Sequence, residues 1–525
     1  MHASIDDAPG GVTLRLAPHR TNAADGGGGV LARAWRGLVV VVVIGGATAA
    51  PSAAQGVRIH GASTSRYVQL RPLVADSVPE SAASTSDGLD RLLNDGTLAR
   101  CRGDGFCRYV RAAPVTQLMA LMQDVDATAW GFGRGVSAHA ELRFREAFGG
   151  GRSLWPQAQQ HLDVLAAYAE LDRERLRARL GRQWFASELG FRNFDGALVQ
   201  AQPLRTLGSV RATVYAGRSL LQGLARDLTS DALATIEELP PDSRGLLFGG
   251  TLGWRPTGGR GTVRAQYERE IRQDRAGLYT ERASAAANLR LGRARLSGEL
   301  VYDFATSALN EARLRARHPI SPGVDLSLEA RHSTPFFPLW TIWGTFSPVG
   351  FDEGLVDARW SSPGSRFTVS GRGAYRRYQA TDAGVASLPL RTDGWRLGSS
   401  VGARISRTWR FQGGYGVDVG STASRSDADV AIRWLRSDRI SLAARGAAFE
   451  TISEWRVGTG RIWGAGADIS IALRPDLQFA ADAMIYRQRT SGRPTDGPWN
   501  QRRATMRLEW SIGSDPGLRA NDGAR

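Results

Sequence analysis

The sequence predicts an all-β protein, a transmembrane antiparallel β-barrel of about 20 strands (roughly 18–22). Three observations predict it. An export leader opens the chain, period-two alternation recurs through the rest, and arginine gathers on one side of the alternating strips.

The leader comes first. Arg33 and Arg36 precede the apolar run Leu38–Ile44 (LVVVVVI), and small residues follow as far as Ala54. This is the order of n-region, h-region and cleavage site, with Ser52-Ala53-Ala54 as the site. The run is far shorter than the roughly 20 apolar residues of a spanning helix, so it reads as a secretory signal cut near Ala54. No later segment reaches that length, which excludes a helical membrane bundle. Residues 1–54 are therefore assigned to the leader, 55–513 to the barrel and 514–525 to a polar tail. The stretch Met1–Gly29 is long for an n-region, and a start near Val30 would give an ordinary one.

The alternation is the main evidence. Val263, Ala265, Tyr267, Arg269 and Ile271 share one side of a strip whose other side carries Arg264, Gln266, Glu268, Glu270 and Arg272. Leu296, Gly298, Leu300 and Tyr302 oppose Arg295, Ser297, Glu299 and Val301; Ala312, Leu314 and Ala316 oppose Glu311, Arg313, Arg315 and Arg317; Met506, Leu508 and Trp510 oppose Arg507 and Glu509. Similar strips fall at 210–217, 325–331, 366–376, 429–434 and 477–486. Their lengths suit tilted membrane strands of about 9–11 residues, and turn-like clusters such as Pro256-Thr-Gly-Gly and Ser361-Ser-Pro-Gly separate them. An arginine facing hydrocarbon near the bilayer midplane costs about 2–4 kcal/mol, so the arginine-bearing sides must line a hydrated interior. A soluble β-sandwich also alternates, but its apolar side would be rich in large aliphatics. Here that side is mostly Ala, Gly, Leu and Val, with aromatics such as Trp434, Tyr486 and Trp510 near the strip ends. The segment His161–Leu180 has high helix propensity. Its four arginines Arg173, Arg175, Arg177 and Arg179 share a side only in an extended chain, and two strands turning near Asp172 are preferred.

Composition agrees. A chain with 42% apolar and 22% charged residues is too polar for a helical membrane protein. A barrel needs only one apolar face per strand. The sequence has no Lys, and all 67 basic residues are Arg. Genomic base composition accounts for this simply, while physically the guanidinium is a permanently charged fork suited to interior ion pairs and anion contacts. The net charge of +16 does not mark a nucleic-acid binder, because arginine is interleaved with Asp and Glu along the chain.

A short motif follows from the same strips. Gly181-Arg182-Gln183 ends one of them and Phe194-Asp195-Gly196 opens the next. The pair resembles porin-like bacterial outer-membrane β-barrels of the alginate-export and general porin type. The direct match spans about sixteen residues, with a looser likeness of strand pattern over most of the mature chain. The resemblance implies an outer-membrane location and passage of small hydrophilic or anionic solutes, or of saccharides. Such barrels commonly end on an aromatic residue read by the barrel-assembly machinery; here Trp510 would serve, with the polar tail beyond it. Arg182 and Asp195, on consecutive strands, are placed to pair, either as an ordinary cross-strand ion pair or as part of the pore.

The remaining candidates are these. Arg175, Arg177, Arg182, Arg264, Arg313, Arg315 and Arg507 are expected to line the pore and attract anions. Cys101 and Cys107, in a Gly-rich stretch of an exported chain, are expected to form a disulfide. The region Leu73–Asp126 lacks alternation and reads as a long extracellular loop or a plug. Thr334–Gly354 crowds aromatics among prolines. It is either a hairpin with two interface girdles or an inward loop whose Trp340, Trp343 and Phe346 constrict the pore and stack on sugars. No HExxH, Gly-x-Ser-x-Gly, P-loop or strand-following GxGxxG occurs, so no catalytic residue, metal or cofactor is assigned. His332 beside Ser333 is the thin basis for a barrel hydrolase. The expected partners are outer-membrane lipid, small solutes or saccharides, and assembly machinery, with no nucleic acid. The alternative to a channel is a non-conducting barrel that binds partners at the surface through the 73–126 region.

Overall fold

The computed structural model describes residues 56–513, apart from 86–89, 94–97, 102–104, 151–160, 203–207, 221–244, 273–276, 335–349, 380–391, 421–422, 455–458 and 492–498. The expected leader, the polar tail and the trio Trp340, Trp343 and Phe346 lie outside the described residues.

Along the chain, β1 (Gly56–Leu70) is followed by five short strands, β2 (Leu73–Pro79), β3 (Ala83–Thr85), β4 (Asp90–Leu93), β5 (Leu98–Cys101) and β6 (Phe106–Ala112). Next come β7 (Thr116–Trp130), β8 (Val136–Phe148), β9 (Leu162–Arg173), β10 (Leu176–Ser187), β11 (Gly190–Ala201), β12 (Ser209–Ser219) and β13 (Gly245–Arg255). Then follow β14 (Gly261–Arg272), β15 (Gly277–Leu291), β16 (Ala294–Asp303), β17 (Ala308–Ser321), β18 (Val324–Ser333), β19 (Phe351–Ser361) and β20 (Phe367–Tyr378). The last seven are β21 (Asp393–Arg404), β22 (Trp409–Val419), β23 (Ala423–Ser437), β24 (Ile440–Glu454), β25 (Thr459–Arg474), β26 (Leu477–Ser491) and β27 (Trp499–Gly513).

β1 and β7–β27 form one antiparallel sheet of 22 strands in which sequence neighbours pair. The sheet closes on itself: β1 pairs with β7 on one side and with β27 on the other, from Arg58↔Gly513 to Val68↔Arg503. Closure leaves no free edge, the condition for placing strands in lipid. The count falls inside the expected range, and His161–Leu180 is indeed two strands, β9 and β10, joined at residues 174–175. β1 begins and β27 finishes at the same end of the barrel. Connections there are short, as at 292–293 and 475–476, whereas the opposite end carries long ones, as at 220–244 and 334–350. These are called the turn end and the loop end.

The register assigns the faces. Val214, Leu300, Leu314, Tyr415 and Met506 are each more than half exposed and occupy the side of their strands opposite the ion-paired residues. Exposed apolar side chains repeated around a closed wall face hydrocarbon. Leu314→Arg should therefore destabilise the inserted barrel by about 2–4 kcal/mol, read by urea unfolding in lipid vesicles. Unchanged stability would contradict the face assignment. One aromatic departs from expectation. Tyr486 shares the inward side with Asp482 and Met484, and the Arg503 guanidinium lies 5.1 Å from its ring.

The region expected as a loop or plug over Leu73–Asp126 needs correction. Thr116–Trp130 is the wall strand β7, and β8 follows it from Val136. The alternation of β7 is hidden because its inward side is apolar at the loop end. There Leu118 is fully buried against Val68 and Ala147, so both faces of that half-strand read as apolar. The stretch outside the wall, Leu73–Ala112, forms its own five-stranded sheet in the order β2-β6-β5-β4-β3. Cys101 and Cys107 face each other across β5 and β6 and are disulfide-bonded. Val78, Ala83, Leu93 and Tyr109 pack round the bond. Arg111 donates to Asp76 at 2.6 Å, tying β6 to β2, and this hydrogen bond holds the Asp76 carboxyl below the usual carboxylate range.

Candidate functional site: the lumen and an inward-folded hairpin

The inward wall is ion-paired. Arg143 meets Asp124 at 2.6 Å, Arg145 meets Asp163 at 3.0 Å and Arg331 meets Glu311 at 2.6 Å. Arg376 and Arg396 converge on the buried Glu353. Arginines on a closed inner surface gain from carboxylates on adjoining strands because the partly dry interior strengthens the attraction.

One hairpin leaves this wall. β10 pairs with β9 only as far as Arg182↔Ala167, yet it stays paired with β11 up to Ser187↔Gly190. β11 in turn pairs with β12 only from Phe194 onward. The tip, residues 183–193, therefore has no wall neighbour on either side and turns inward. The turn begins at Gly181, whose φ of +130° suits a residue without a Cβ. A side chain at Gly181 would run into the Ala167 carbonyl, and one at Gly196, its partner across the hairpin, into the Ala216 carbonyl.

Four contacts hold the tip against β14 and β15. Gln266 donates to the Ser187 hydroxyl at 2.9 Å, Arg264 pairs with Glu188 at 2.7 Å and Arg282 donates to the Leu189 carbonyl at 2.5 Å. Arg192 pairs at 2.6 Å with Glu268, which is fully buried and also accepts from the Tyr215 hydroxyl at 2.9 Å. Beneath them Phe185 and Phe194 pack on Tyr215, with ring centroids 4.8 and 5.7 Å apart, and Leu198 and Leu247 complete the cluster. Each aromatic pair adds about 0.5–1.5 kcal/mol beyond its buried area.

The hairpin is a shelf with a cavity on each side. Phe185 and Ser187 front a space of about 400 Å³ toward the turn end, bounded by Arg211, Gly253 and Thr262. Trp184 and Phe191, on the other face, front about 530 Å³ toward the loop end, bounded by Ser219 and Glu270. At the turn end itself, Arg290, Arg295 and Arg317 stand directly opposite one another on β15, β16 and β17. With Arg255 and Arg260 they surround a third space of about 520 Å³. Arg317 is held by Asp325 at 2.9 Å. Among the described residues Arg255, Arg260, Arg290 and Arg295 have no carboxylate partner. Like charges directly opposite on neighbouring strands repel, so this mouth carries a positive field.

The expected pore residues fall in several places. Arg175 lies in the turn between β9 and β10, not on a strand. Arg177 pairs with Asp172 at 2.5 Å, Arg313 with Glu329 at 2.8 Å and Arg507 with Glu509 at 2.6 Å, while Arg315 donates to Ser327 at 2.8 Å. Arg264 holds the shelf, as described. Arg182 and Asp195 form a two-pronged pair at 2.7 and 3.0 Å at the root of the shelf, and Arg182 also donates to the Val164 carbonyl across the gap where β10 has parted from β9. His332 lies on the outward row with Asp352, Nδ1 to Oδ1 2.7 Å, whereas Ser333 is on the opposite side of β18. The two are not convergent, so they form no nucleophile–base pair.

Sequence reading missed the shelf and its anchors Arg192, Tyr215, Glu268 and Arg282. The alternation breaks at Arg182, which falls on the side of Leu180 and Trp184, but such a break by itself does not tell an inward departure from a bulge. Gly181 and Gly196, at the two roots of the hairpin, were the available signal.

A closed antiparallel barrel with an apolar outer belt and an ion-paired interior defines a transmembrane β-barrel of the outer-membrane type. No family model matches the chain, and no curated protein matches it. Among solved structures, the chain is similar to a variant of the ferric enterobactin receptor of Pseudomonas aeruginosa in complex with enterobactin, with a TM-score of 0.50 at 10% identity over 86% of this chain and 81% of the receptor. It is also similar to a BenF-like porin of Pseudomonas fluorescens (TM-score 0.39, 8% identity, 87% and 100% covered) and to OccAB4 of Acinetobacter baumannii (0.35, 7%, 88% and 100%). At such identities the likeness concerns the fold. None of these is an alginate exporter by description.

Proposed function

We propose that the protein is a porin-like channel of the outer membrane for small hydrophilic solutes, saccharides among them, with an ionic current that prefers anions. The observation that supports this most is the arginine cluster at the turn-end mouth of an otherwise ion-paired lumen. A net positive constriction concentrates anions and raises their entry rate. Planar-bilayer recordings across a KCl gradient test it. The reversal potential should show anion preference, and R290A together with R295A should reduce it. Absence of conductance would overturn the channel, and cation preference would overturn the stated selectivity.

The disulfide-bonded sheet at Leu73–Ala112 supports a second reading, a surface module that binds partners. Replacing residues 73–112 by a short Gly-Ser link separates the two roles the region could have. Unchanged conductance would favour the exposed module, and a rise would show that the sheet blocks the lumen.

A further inference from the structure

Trp184 and Phe191 are 47% and 60% exposed, and their rings stack at 5.7 Å with 26° between planes. On a wall strand their side of the alternation would meet lipid. Here the hairpin has turned inward, and the cavity they front is bounded by inward-facing Glu141, Ser219 and Glu270. The protein thus keeps a broad aromatic face in its hydrated interior, where solvating it is unfavourable unless a ligand covers it.

The polar groups beside that face are unspent. Glu270 is fully buried, and among the described residues it forms no ion pair and neither of its carboxyl oxygens has a hydrogen-bond partner. Among the described residues, the Asn193 Oδ1 and Arg192 Nη2 atoms are buried without hydrogen-bond partners. Buried polar atoms left unmatched in a cavity of ligand size, about 300–1,000 Å³, mark a place for an occupant that matches them.

We infer that this loop-side cavity is a subsite for a neutral saccharide, its ring lying on Trp184 and Phe191 and its hydroxyls bonding to Glu270, Asn193 and Arg192. A pyranose offers apolar C–H faces to an aromatic surface and a rim of groups that both donate and accept. The carboxyl groups of Glu141 and Glu270 disfavour an anion, and the guanidinium of Arg192, paired with Glu268, adds no free charge to attract one. The inference rests on the channel reading and narrows its solute class: anions shape the current, while a saccharide is what the shelf retains.

Calorimetric titration of the detergent-solubilised protein with maltose tests the subsite without requiring conduction. Gluconate and glucosamine serve as charged comparators. Maltose should bind, and W184A should weaken it by about tenfold, the scale of losing one good stacking partner, with W184F restoring most of the loss. Heat-modifiable electrophoretic mobility identifies variants that fold. Maltose binding unaltered in folded W184A would overturn the assignment, as would absence of maltose binding to the native protein. Gluconate or glucosamine binding as tightly as maltose would overturn the neutral class. Bilayer recordings on the same samples report separately on conduction, so a protein that binds maltose yet passes no current would reject the channel and keep the subsite.

Discussion

Replacing Glu268 with alanine should release the shelf and raise single-channel conductance. Glu268 is the shared acceptor of the anchor: Arg192 pairs with it, Tyr215 donates to it and Arg282 lies 3.9 Å away. Removing one partner of a buried pair leaves the other charge uncompensated and typically costs about 3–5 kcal/mol. The rest of the tip is held by contacts to Ser187, Glu188 and the Leu189 carbonyl, of which the Arg264–Glu188 pair is half exposed on the arginine side. A pair so exposed is worth little. The hairpin should therefore swing between inward and released positions, seen as larger conductance and added open-channel noise. The wall itself does not depend on Glu268, because its backbone pairs with Gly249 and Arg282 continue on both sides. Conductance and noise identical to the native channel would show that the shelf is fixed by other means or does not limit the current.

The second large effect is expected at the root of the hairpin. Gly196→Val should prevent assembly of the barrel. A Cβ at this position would strike the Ala216 carbonyl and the Gly217 Cα on β12, where the neighbour is backbone and cannot swing aside. The strand pair would have to separate where β11 still belongs to the wall, and a wall with unpaired backbone is not viable in lipid. The expected result is loss of the heat-modifiable band and recovery of the protein as aggregate. Gly354→Ala is the control, because a Cβ there meets nothing within 4 Å, and it should assemble normally. Normal assembly of Gly196→Val would show that the close approach is not required.

Much of the wall was legible in the residues, for a reason that can be stated strand by strand. In β14, β16, β17 and β27 each side chain faces either hydrocarbon or the lumen, and the cost of arginine in lipid forces the two sides of the strip apart. Strand identity and facing follow from that one penalty. Where the penalty does not operate, the reading failed. β7 was read as loop because its inward half buries Leu118 against Val68, so no polar side marks the strand. The Leu73–Ala112 sheet stands outside the wall and lacks the barrel's pattern. Arg175 was placed on a strand because period two cannot distinguish a strand from the tight turn that joins two of them.

The candidate site was less legible still. Arg177 and Arg313 were named as pore-lining from sequence, but their carboxylate partners are set by register, which a strip does not state; Arg507 instead pairs with Glu509 on the same side of its own strand. Arg290 and Arg295 flank one short turn, but Arg317 joins them only through the pairing of β16 and β17. The same holds for Glu268, which was read as one more inward carboxylate.

By itself, the sequence determined the export leader as an expectation, the barrel class and which side of most strands meets lipid, because hydrophobicity and charge act locally on a two-residue period. Only the tertiary structure decided the strand number, the closure through β1 and β27, and the departure of the β10–β11 hairpin from the wall. Those depend on backbone contacts between residues far apart in the chain. At Gly181 and Gly196 the deciding feature is the absence of a side chain, which carries no periodic signal at all.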